Sequence, residues 1–331
     1  MSRTFMGAVV VVLGLTLGGC QPRHAPEEKY YLVAGNVKLP YWQTAQSGLF
    51  KAAAQFKVKA EMAGPDTYNP QEQQKEFQRV MKLKPSGILV SPEDPNLLKA
   101  DIDAALEQGI PVITMDSDAP GSKRPTFIGT NNYEAGVMGA KVAAEQLKGK
   151  GSVVVYTIPG QANLEERLRG YKEVFENHPG IKIVETVNVR GDVRLAFDRT
   201  VEIVEKSKTP PDGFVCLEAV ACKGVVEVLD RKQLKGKVVV AMDTDEETLE
   251  WIHKGVIQAT IAQKPFTMAF YGLKALDDLH HHKPKPLVAN WGQEPFALIP
   301  TFLDTGATLV NKSNLGMFQK PQEFATVEAD Q

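Results

Sequence analysis

Four polar side chains of this sequence share one position, because each comes directly after an apolar, strand-like run. They are Asp116, Glu218, Asp243 and Gln263. A carboxylate has two oxygens and can accept hydrogen bonds from two adjacent hydroxyl groups, as a vicinal diol requires. Each of these residues alone could instead be a helix cap or a loop residue. Glu218, Asp243 and Gln263 follow three successive strands in one half of the chain, and capping does not easily explain all three. We therefore expect these side chains to contact a hydroxyl-bearing ligand.

Aromatic and cationic residues add to this set of candidates. Tyr41 and Trp42 follow Pro40 where a helix is predicted to begin. Their faces could stack on the C–H face of a sugar ring, or they could form a hydrophobic staple at the helix start. Arg167 offers a planar fork of donors for ligand oxygens. An arginine in the first turns of a helix is also a common surface residue, and the sequence leaves both readings open.

The elements that must position these residues alternate between β-branched apolar runs and amphipathic helical patterns. This alternation predicts parallel sheets flanked by helices. Four strand–helix units fit before residue 130, and the pattern starts again with a strand at residues 152–157. Two successive sets imply two lobes. In such sheets, ligands bind beyond the carboxyl ends of the strands, where the candidate residues lie.

Composition limits the class of protein. The 331 residues include 38 Lys+Arg and 40 Asp+Glu, for a formal net charge of −2, and 43% are hydrophobic. Nucleic acid is not an expected partner, because binding phosphates needs clustered basic residues. The apolar fraction is that of a globular protein. At roughly 150 residues per domain, the length suggests two domains.

The N-terminus has the pattern of an export signal. Arg3 precedes an apolar run at residues 5–17, which is shorter than the roughly 20 residues that span a bilayer. The sequence Leu17-Gly18-Gly19-Cys20 resembles a bacterial lipobox. We therefore predict a lipoprotein signal peptide at residues 1–19, a lipid on Cys20 and a tether at residues 20–28. A plain signal peptide and a buried N-terminal helix are the alternatives.

The remaining cysteine, histidine and acidic residues that could do chemistry are interpreted as parts of the fold and not as parts of a site. Cys216 and Cys222 form either a disulfide or two buried thiols. The run His280-His281-His282 is interpreted as a solvated turn after a helix, since it lacks the spacing of metal ligands. The acidic turn Glu93-Asp94 is interpreted as a cap of the following helix. We therefore expect no metal site and no cofactor.

Seven short motifs, in this order, resemble the type I periplasmic binding proteins, in the ribose/galactose-binding branch of sugar ABC transporters. The resemblance covers roughly residues 30–318. The motifs are Pro40-Tyr41-Trp42, Val90-Ser91-Pro92 and residues 109–116, 127–132, 167–171, 240–243 and 259–263.

The resemblance implies an α/β fold of the periplasmic binding protein-like I class, with two Rossmann-like three-layer lobes joined by a three-strand hinge. The N-terminal lobe would comprise residues 29–130 plus 264–290. The C-terminal lobe would comprise residues 131–263 plus 291–325, so the chain would cross between the lobes near Thr130, Gln263 and Asn290.

By position, the resemblance implies ligand contacts from Tyr41, Trp42, Asp116, Arg167, Glu218, Asp243 and Gln263. The sequence also departs from the pattern of ribose binders. Leu39 replaces an asparagine, which leaves Lys38 as a substitute. Ser117 replaces an arginine, Glu218 replaces an asparagine, and the aromatic residue of the second lobe falls near Gly191 or Val193. Asp118 would be a further carboxylate in the cleft. These departures make ribose itself a doubtful ligand.

The function implied is that of a membrane-anchored, substrate-binding lipoprotein, not an enzyme. We expect it to be an exported monomer, in the periplasm or at the cell surface, that captures a monosaccharide or related polyol for an ABC permease. One alternative is a sensor lobe for a sugar or furanosyl signal, coupled to a chemoreceptor or kinase. Another is a glycosidase with a carboxylate pair such as Asp116 and Glu218.

Overall fold

The computed structural model describes residues 24–287, 291 and 293–319. The predicted signal peptide and the lipid attachment at Cys20 lie outside the described residues. In the part of the chain that is described, no helix combines the length and the apolar character that crossing a bilayer needs.

The first half of the chain alternates strands and helices, as the apolar pattern predicts. The elements are β1 (Lys29–Val33), α1 (Pro40–Phe56), β2 (Lys59–Ala63), α2 (Pro70–Lys82), β3 (Gly87–Val90), α3 (Pro95–Glu107), β4 (Val112–Met115) and β5 (Phe127–Gly129). The helices α1, α2 and α3 all begin at a proline, which lacks only an N–H that would be unpaired at this position. Strands β3 and β4 are buried along their whole length, as parallel strands covered by helices must be.

The second half repeats this plan. The elements are α4 (Asn132–Gln146), β6 (Lys150–Thr157), α5 (Ala162–Glu176), β7 (Gly180–Asn188), α6 (Val193–Lys206), β8 (Gly213–Cys216), α7 (Ala221–Arg231), β9 (Val238–Met242), α8 (Glu246–His253) and β10 (Ala259–Ala262). They are followed by α9 (Pro265–His281), β11 (Phe302–Asp304), β12 (Thr308–Asn311) and a short 3-10 helix (Leu315–Met317).

The strands form two six-stranded sheets. The first has the order β11-β5-β4-β3-β1-β2 and the second has the order β12-β10-β9-β8-β6-β7. Helix α4 packs against α5 of the second lobe, whereas α9 packs against α1 of the first lobe. The chain therefore crosses between the lobes three times: after β5, after β10 and after β11. Each lobe has its own hydrophobic core. The expected two-lobe α/β fold is confirmed.

The position of the third crossing corrects the sequence-based expectation. Residues 302–304 form β11 and pair in parallel with β5 in the first sheet, so the chain returns to the second lobe at residues 305–307. The sequence predicts that the chain crosses to the second lobe near Asn290. This prediction is wrong, because residues 302–304 still belong to the first sheet. The three residues of β11, Phe-Leu-Asp, are too short to show the apolar run or the alternation that reveals a strand.

Close packing of α1 against α9 depends on a glycine. A Cβ atom added at Gly48 would lie 2.1 Å from the carbonyl oxygen of Phe266, and this backbone atom cannot rotate away. We expect Gly48→Ala to lower the free energy of unfolding by about 1–3 kcal/mol, the usual cost of overpacking. Urea denaturation would measure this loss. Gly316→Ala is the control, because no atom lies within 4 Å of its Cβ position. Equal stability of the two variants would contradict this account of the α1–α9 contact.

Candidate functional site

A cavity of about 90 Å³ lies between the two lobes, where strands of both sheets end. This volume is well above the roughly 10–15 Å³ that one water molecule occupies by the same measure. Seven of the eight predicted ligand-binding residues line it. They are Tyr41, Trp42, Asp116, Arg167, Glu218, Asp243 and Gln263. The strand ends therefore bring together residues that lie far apart in sequence.

Asp116, directly after β4, presents a carboxylate to the cavity from a central strand of the first lobe. Its backbone has a positive φ of 62°, and its N–H donates to the Ile128 carbonyl at 3.1 Å. Its Oδ1 accepts from the Tyr41 hydroxyl at 2.6 Å and its Oδ2 from the Ser91 hydroxyl at 3.0 Å. Burial raises the pKa of Asp116, and the nearby charge of Arg167 opposes this shift. Each oxygen keeps a further lone pair, so the carboxylate can still accept ligand hydroxyls.

Asp243 occupies the corresponding position after β9 in the second lobe. Its φ is 67°, and its N–H donates to the Ile261 carbonyl at 2.9 Å. Burial raises the pKa of Asp243 to about 7, again against the influence of Arg167. Left-handed backbone at a residue other than glycine costs free energy and is common at functional sites. The two lobes thus hold their aspartates in the same unusual conformation.

Arg167 connects the polar groups of the second lobe. Its side chain is 2% exposed. Its Nε donates to Asn132 Oδ1 at 2.9 Å, its Nη1 to the Leu217 carbonyl at 2.7 Å, and its Nη2 to Gln263 Oε1 at 2.7 Å. Gln263 in turn donates from Nε2 to Asp243 Oδ1 at 2.9 Å. Arg167 is therefore a fixed, buried cation and not a surface residue. The sequence-based prediction missed Asn132, which orients the guanidinium.

Tyr41 and Trp42 lie in the first turn of α1, because this helix begins at Pro40. Their rings pack edge to face, with centroids 5.2 Å apart. Burial raises the pKa of Tyr41 well above its usual value, so its hydroxyl stays a donor to Asp116. Trp42 is 6% exposed and belongs to the core of the first lobe, although it also lines the cavity. Trp42 therefore packs in the hydrophobic core and also forms part of the cavity wall.

Glu218 lines the cavity, but its carboxylate is already engaged. Its Oε2 accepts from the backbone N–H of Val220 at 2.7 Å and its Oε1 from that of Ala221 at 2.6 Å. These bonds cap the N-terminus of α7. Burial raises the pKa of Glu218, while the two amides lower it. The Glu218 carboxylate thus holds the start of α7, and its contact with a ligand stays a prediction.

Two residues that were expected in the cleft lie outside the cavity wall. Lys38 is exposed and forms an ion pair with Asp66, with Nζ and Oδ2 3.7 Å apart. Asp118 accepts from Arg124 Nε at 2.6 Å and from the Thr114 hydroxyl at 2.7 Å. Neither residue lines the cavity. In this structure both charges have local partners instead, and a ligand contact from either residue stays a prediction.

Sequence reasoning missed a buried carboxyl group at the cavity, that of Glu93. It accepts from the Asn69 N–H at 3.1 Å, and burial raises its pKa to about 8. Its neighbour Asp94 is the cap of α3, as predicted, and accepts from the N–H groups of Asn96 and Leu97. The capping signal of Asp94 thus concealed the different role of Glu93.

Tyr68 of the first lobe lines the cavity next to the position where the second lobe lacks an aromatic residue. The second lobe has Gly191 at this part of the cavity wall, and a Cβ atom there would lie 3.2 Å from the Cβ of Tyr68. Burial raises the pKa of Tyr68 to about 12. The cavity therefore has aromatic residues at two places, although both come from the first lobe.

The raised pKa of Glu93 predicts a pH-dependent stability. An unfolded glutamate ionises near pH 4.3 or so, whereas the pKa of Glu93 in the folded protein is about 8. The folded state therefore binds more protons between these values, and this contribution to stability is lost as pH rises from about 4 to about 8. We expect Glu93→Gln to gain at least about 1 kcal/mol of stability relative to wild type on going from pH 5 to pH 8.5.

Urea denaturation at the two pH values would measure this gain. Glu176→Gln, at an exposed position of α5, is the matched control and should show no such difference. A stability difference between Glu93→Gln and wild type that is the same at both pH values would exclude a large pKa shift.

The cysteines of the described chain do not take part in the site. Cys216 lies in β8 and Cys222 in α7, and both are buried free thiols. Burial raises the pKa of the Cys216 thiol well above its usual value, which keeps it neutral. The structure thus favours two buried thiols over a disulfide.

Comparison with known proteins gives consistent results. The family described as "Periplasmic binding protein domain" matches residues 30–284. The ribose import binding protein of Bacillus subtilis (strain 168) is 22% identical over 285 residues, which are 80% of this chain and 86% of that protein. The arabinose-binding protein AraP of Geobacillus stearothermophilus is 34% identical, with a TM-score of 0.73, and covers 89% of this chain and 100% of its own.

A solute-binding protein of an ABC transporter from Burkholderia graminis C4D1M, solved in complex with D-arabinose, has a similar structure. It is 28% identical, with a TM-score of 0.80, and the match covers 90% of this chain and 100% of that chain.

Proposed function

The chain belongs to the periplasmic binding protein family, and from this premise we propose that it encloses a monosaccharide or a related polyol between its two lobes. The observation that carries the proposal is the cavity between the lobes in which Asp116 of one lobe and Asp243 and Arg167 of the other converge. Carboxylates accept from sugar hydroxyls, and the guanidinium donates to sugar oxygens. The names of the relatives, which refer to ribose and arabinose, support a sugar of this size.

The charges of the cavity favour a neutral ligand. Four carboxyl groups line it, those of Glu93, Asp116, Glu218 and Asp243. Arg167 is the one cation among the described residues of the wall. An anionic sugar phosphate or sugar acid would face this excess of acidic groups in a site of low dielectric. A neutral compound rich in hydroxyl groups would instead supply donors for the carboxylates.

Binding would stabilise one conformation of a hinged molecule. The three crossings between the lobes are segments of two or three residues, which suits a rotation of one lobe against the other. A ligand that contacts both lobes binds the closed arrangement better than an open one, and so shifts the population towards it. The contacts of Asp116 and Asp243 from opposite lobes would provide this difference in affinity.

We propose binding without catalysis. A glycosidase needs two carboxyl groups that can exchange protons or attack the sugar. In the pair Asp116 and Glu218, both oxygens of Glu218 already accept from backbone N–H groups, those of Val220 just before α7 and of Ala221 at its start. This engagement leaves Glu218 poorly suited to act as an acid or a nucleophile. Sugar consumed during incubation with purified protein would argue for the enzyme instead.

The proposal includes export, anchoring and delivery. We propose that residues 1–19 direct export, that Cys20 carries a lipid, and that the monomeric protein presents its ligand to an ABC permease. The motif Leu17-Gly18-Gly19-Cys20 supports the anchor, and family membership supports delivery. Labelling cells with a radioactive fatty acid should mark the wild type but not Cys20→Ser. Equal labelling of both proteins would contradict lipidation at Cys20.

A thermal-shift screen tests the binding proposal. The mature protein would be heated with D-arabinose, D-ribose, other pentoses, hexoses and polyols, each in millimolar excess. A ligand present at 100 times its Kd stabilises the folded state by about 2.7 kcal/mol, which raises Tm by several degrees. Sugar phosphates and sugar acids serve as the anionic comparison and should give smaller shifts. If no neutral sugar or polyol raised Tm, the proposed function would be wrong.

A further inference from the structure

A second cluster of polar residues lies away from the cavity, where the start of the described chain meets the end of α9. It consists of His24, Glu28, Asp277 and His281, and one ligand-type atom from each lies within 4.8 Å of the others. His24 and Glu28 precede β1, whereas Asp277 and His281 are one turn apart near the end of α9. None of the four lines the cavity between the lobes.

The distances within this cluster suit a tetrahedral metal site. His24 Nε2 lies 2.9 Å from Asp277 Oδ1, and His281 Nε2 lies 3.1 Å from Glu28 Oε2 and 3.6 Å from Asp277 Oδ1. A tetrahedral zinc ion with bonds of about 2.0–2.1 Å holds neighbouring ligand atoms roughly 3.3 Å apart. The observed separations fall on both sides of this value, so small shifts of the side chains would accommodate the ion.

The burial of the two carboxylates points in the same direction. Asp277 is 1% exposed and Glu28 is 6% exposed. Buried carboxylates are commonly paired or coordinate metal ions, because attraction to a cation is stronger away from bulk water. A divalent cation here would have both carboxylates and both imidazoles as ligands.

Further hydrogen bonds hold the carboxylates in place. The hydroxyl of Tyr30 donates to Asp277 Oδ1 at 3.1 Å, and the N–H of Ala25 donates to Glu28 Oε1 at 2.6 Å. Partners of this kind, which fix the orientation of a ligand, are typical of metal sites. They also leave Oε2 of Glu28 directed at His281.

We propose that His24, Glu28, Asp277 and His281 bind a zinc ion. Two imidazoles and two carboxylates are a donor set that zinc accepts, whereas calcium and magnesium prefer oxygen ligands alone. The ion would tie the segment before β1 to α9, and so fix the point at which the N-terminal tether joins the folded body. The sites for zinc and for sugar are separate, so this proposal does not depend on the proposed function.

This site corrects the interpretation of the histidine run. Helix α9 continues through His281, so the first two histidines of the run are helical and only His282 follows the helix. Asp277 is the partner at helical spacing that the run seemed to lack. A local sequence pattern cannot reveal the other histidine ligand, because His24 is 253 positions away from Asp277.

Zinc titration calorimetry on the metal-stripped mature protein tests the proposal. We expect one zinc ion per chain in the wild type, and an affinity at least tenfold lower in His24→Ala and in His281→Ala. The matched control is His282→Ala, an exposed neighbour that pairs with Asp278 and should bind zinc as the wild type does. Circular dichroism would verify that each variant is folded, and Asp277→Asn provides a further variant if His281→Ala is not.

Two results would overturn the zinc site. One is a wild-type affinity no higher than that of the His24→Ala and His281→Ala proteins. The other is a loss in His282→Ala as large as theirs. The effect of zinc on Tm provides an independent measurement. At the same zinc concentration, Tm should rise in the wild type and in His282→Ala, and should rise less in His24→Ala.

Discussion

Arg167→Met is expected to reduce sugar affinity at least 100-fold, the largest effect of any single substitution in the cavity. The variant loses the guanidinium that we propose donates to sugar oxygens, and Gln263 at the cavity wall loses the partner that positions it. Bonds that involve a charged group contribute about 1.5–3 kcal/mol each, and a 100-fold change corresponds to about 2.7 kcal/mol. Titration calorimetry with the sugar that gives the largest thermal shift would measure the loss.

The same substitution is expected to lower the stability of the ligand-free protein by about 3 kcal/mol. Arg167 is the cation that opposes the rise in the pKa of both Asp116 and Asp243. Removing one partner of a buried ionic group leaves the other charges uncompensated. Arg167→Lys keeps the charge without the planar fork, so it should retain more of the stability than Arg167→Met while still losing affinity.

The matched control for Arg167 lies on the same helix. Arg169 is exposed and pairs with Glu166, three residues earlier on α5. Arg169→Met should bind sugar with the wild-type affinity, because exposed ion pairs contribute little. If Arg167→Met and Arg169→Met bound sugar equally well, Arg167 would have no place in the proposed binding site.

Asp116→Ala is expected to lower sugar affinity at least tenfold, which corresponds to about 1.4 kcal/mol. The substitution removes the acceptor for ligand hydroxyls in the first lobe. It also leaves the hydroxyls of Tyr41 and Ser91 without their acceptor. A buried polar group without a partner costs about 1–3 kcal/mol, and a ligand that fills the cavity would keep water from replacing the bond. Calorimetry on the purified variant would measure the change.

Lys38→Ala is the control for this substitution. Lys38 was a candidate from the sequence, but its side chain is exposed and pairs with Asp66 outside the cavity wall. Its removal should change sugar affinity by less than twofold. A larger loss in Lys38→Ala than in Asp116→Ala would show that the ligand lies elsewhere.

The sequence was sufficient to predict the residues at strand ends. Asp116, Asp243 and Gln263 were predicted because an apolar run of strand length ends directly before each of them, and parallel strands bring their carboxyl ends to one edge. The same argument explains the two-lobe fold, since each repeat of the strand–helix pattern builds one sheet. These signals are local, and local signals can be read from a single sequence.

Features that depend on partners distant in sequence could not be predicted. Glu93 looked like a helix cap, and whether it caps α3 or faces the cavity depends on the packing around it, with Asn69 as a partner. Arg167 was ambiguous because its burial follows from Asn132 and Gln263, which other elements supply. Strand β11 is too short to carry a pattern. The same residue types cap helices and line buried sites, so only the folded structure distinguishes the two roles.

Titration calorimetry of the mature wild type and of Asp116→Ala, with the neutral sugar or polyol that raises Tm most, tests the central claim most directly. The account predicts one ligand per wild-type chain and at least a tenfold weaker isotherm for Asp116→Ala, with Lys38→Ala unchanged. The same affinity in Asp116→Ala and wild type would contradict a sugar site between the lobes.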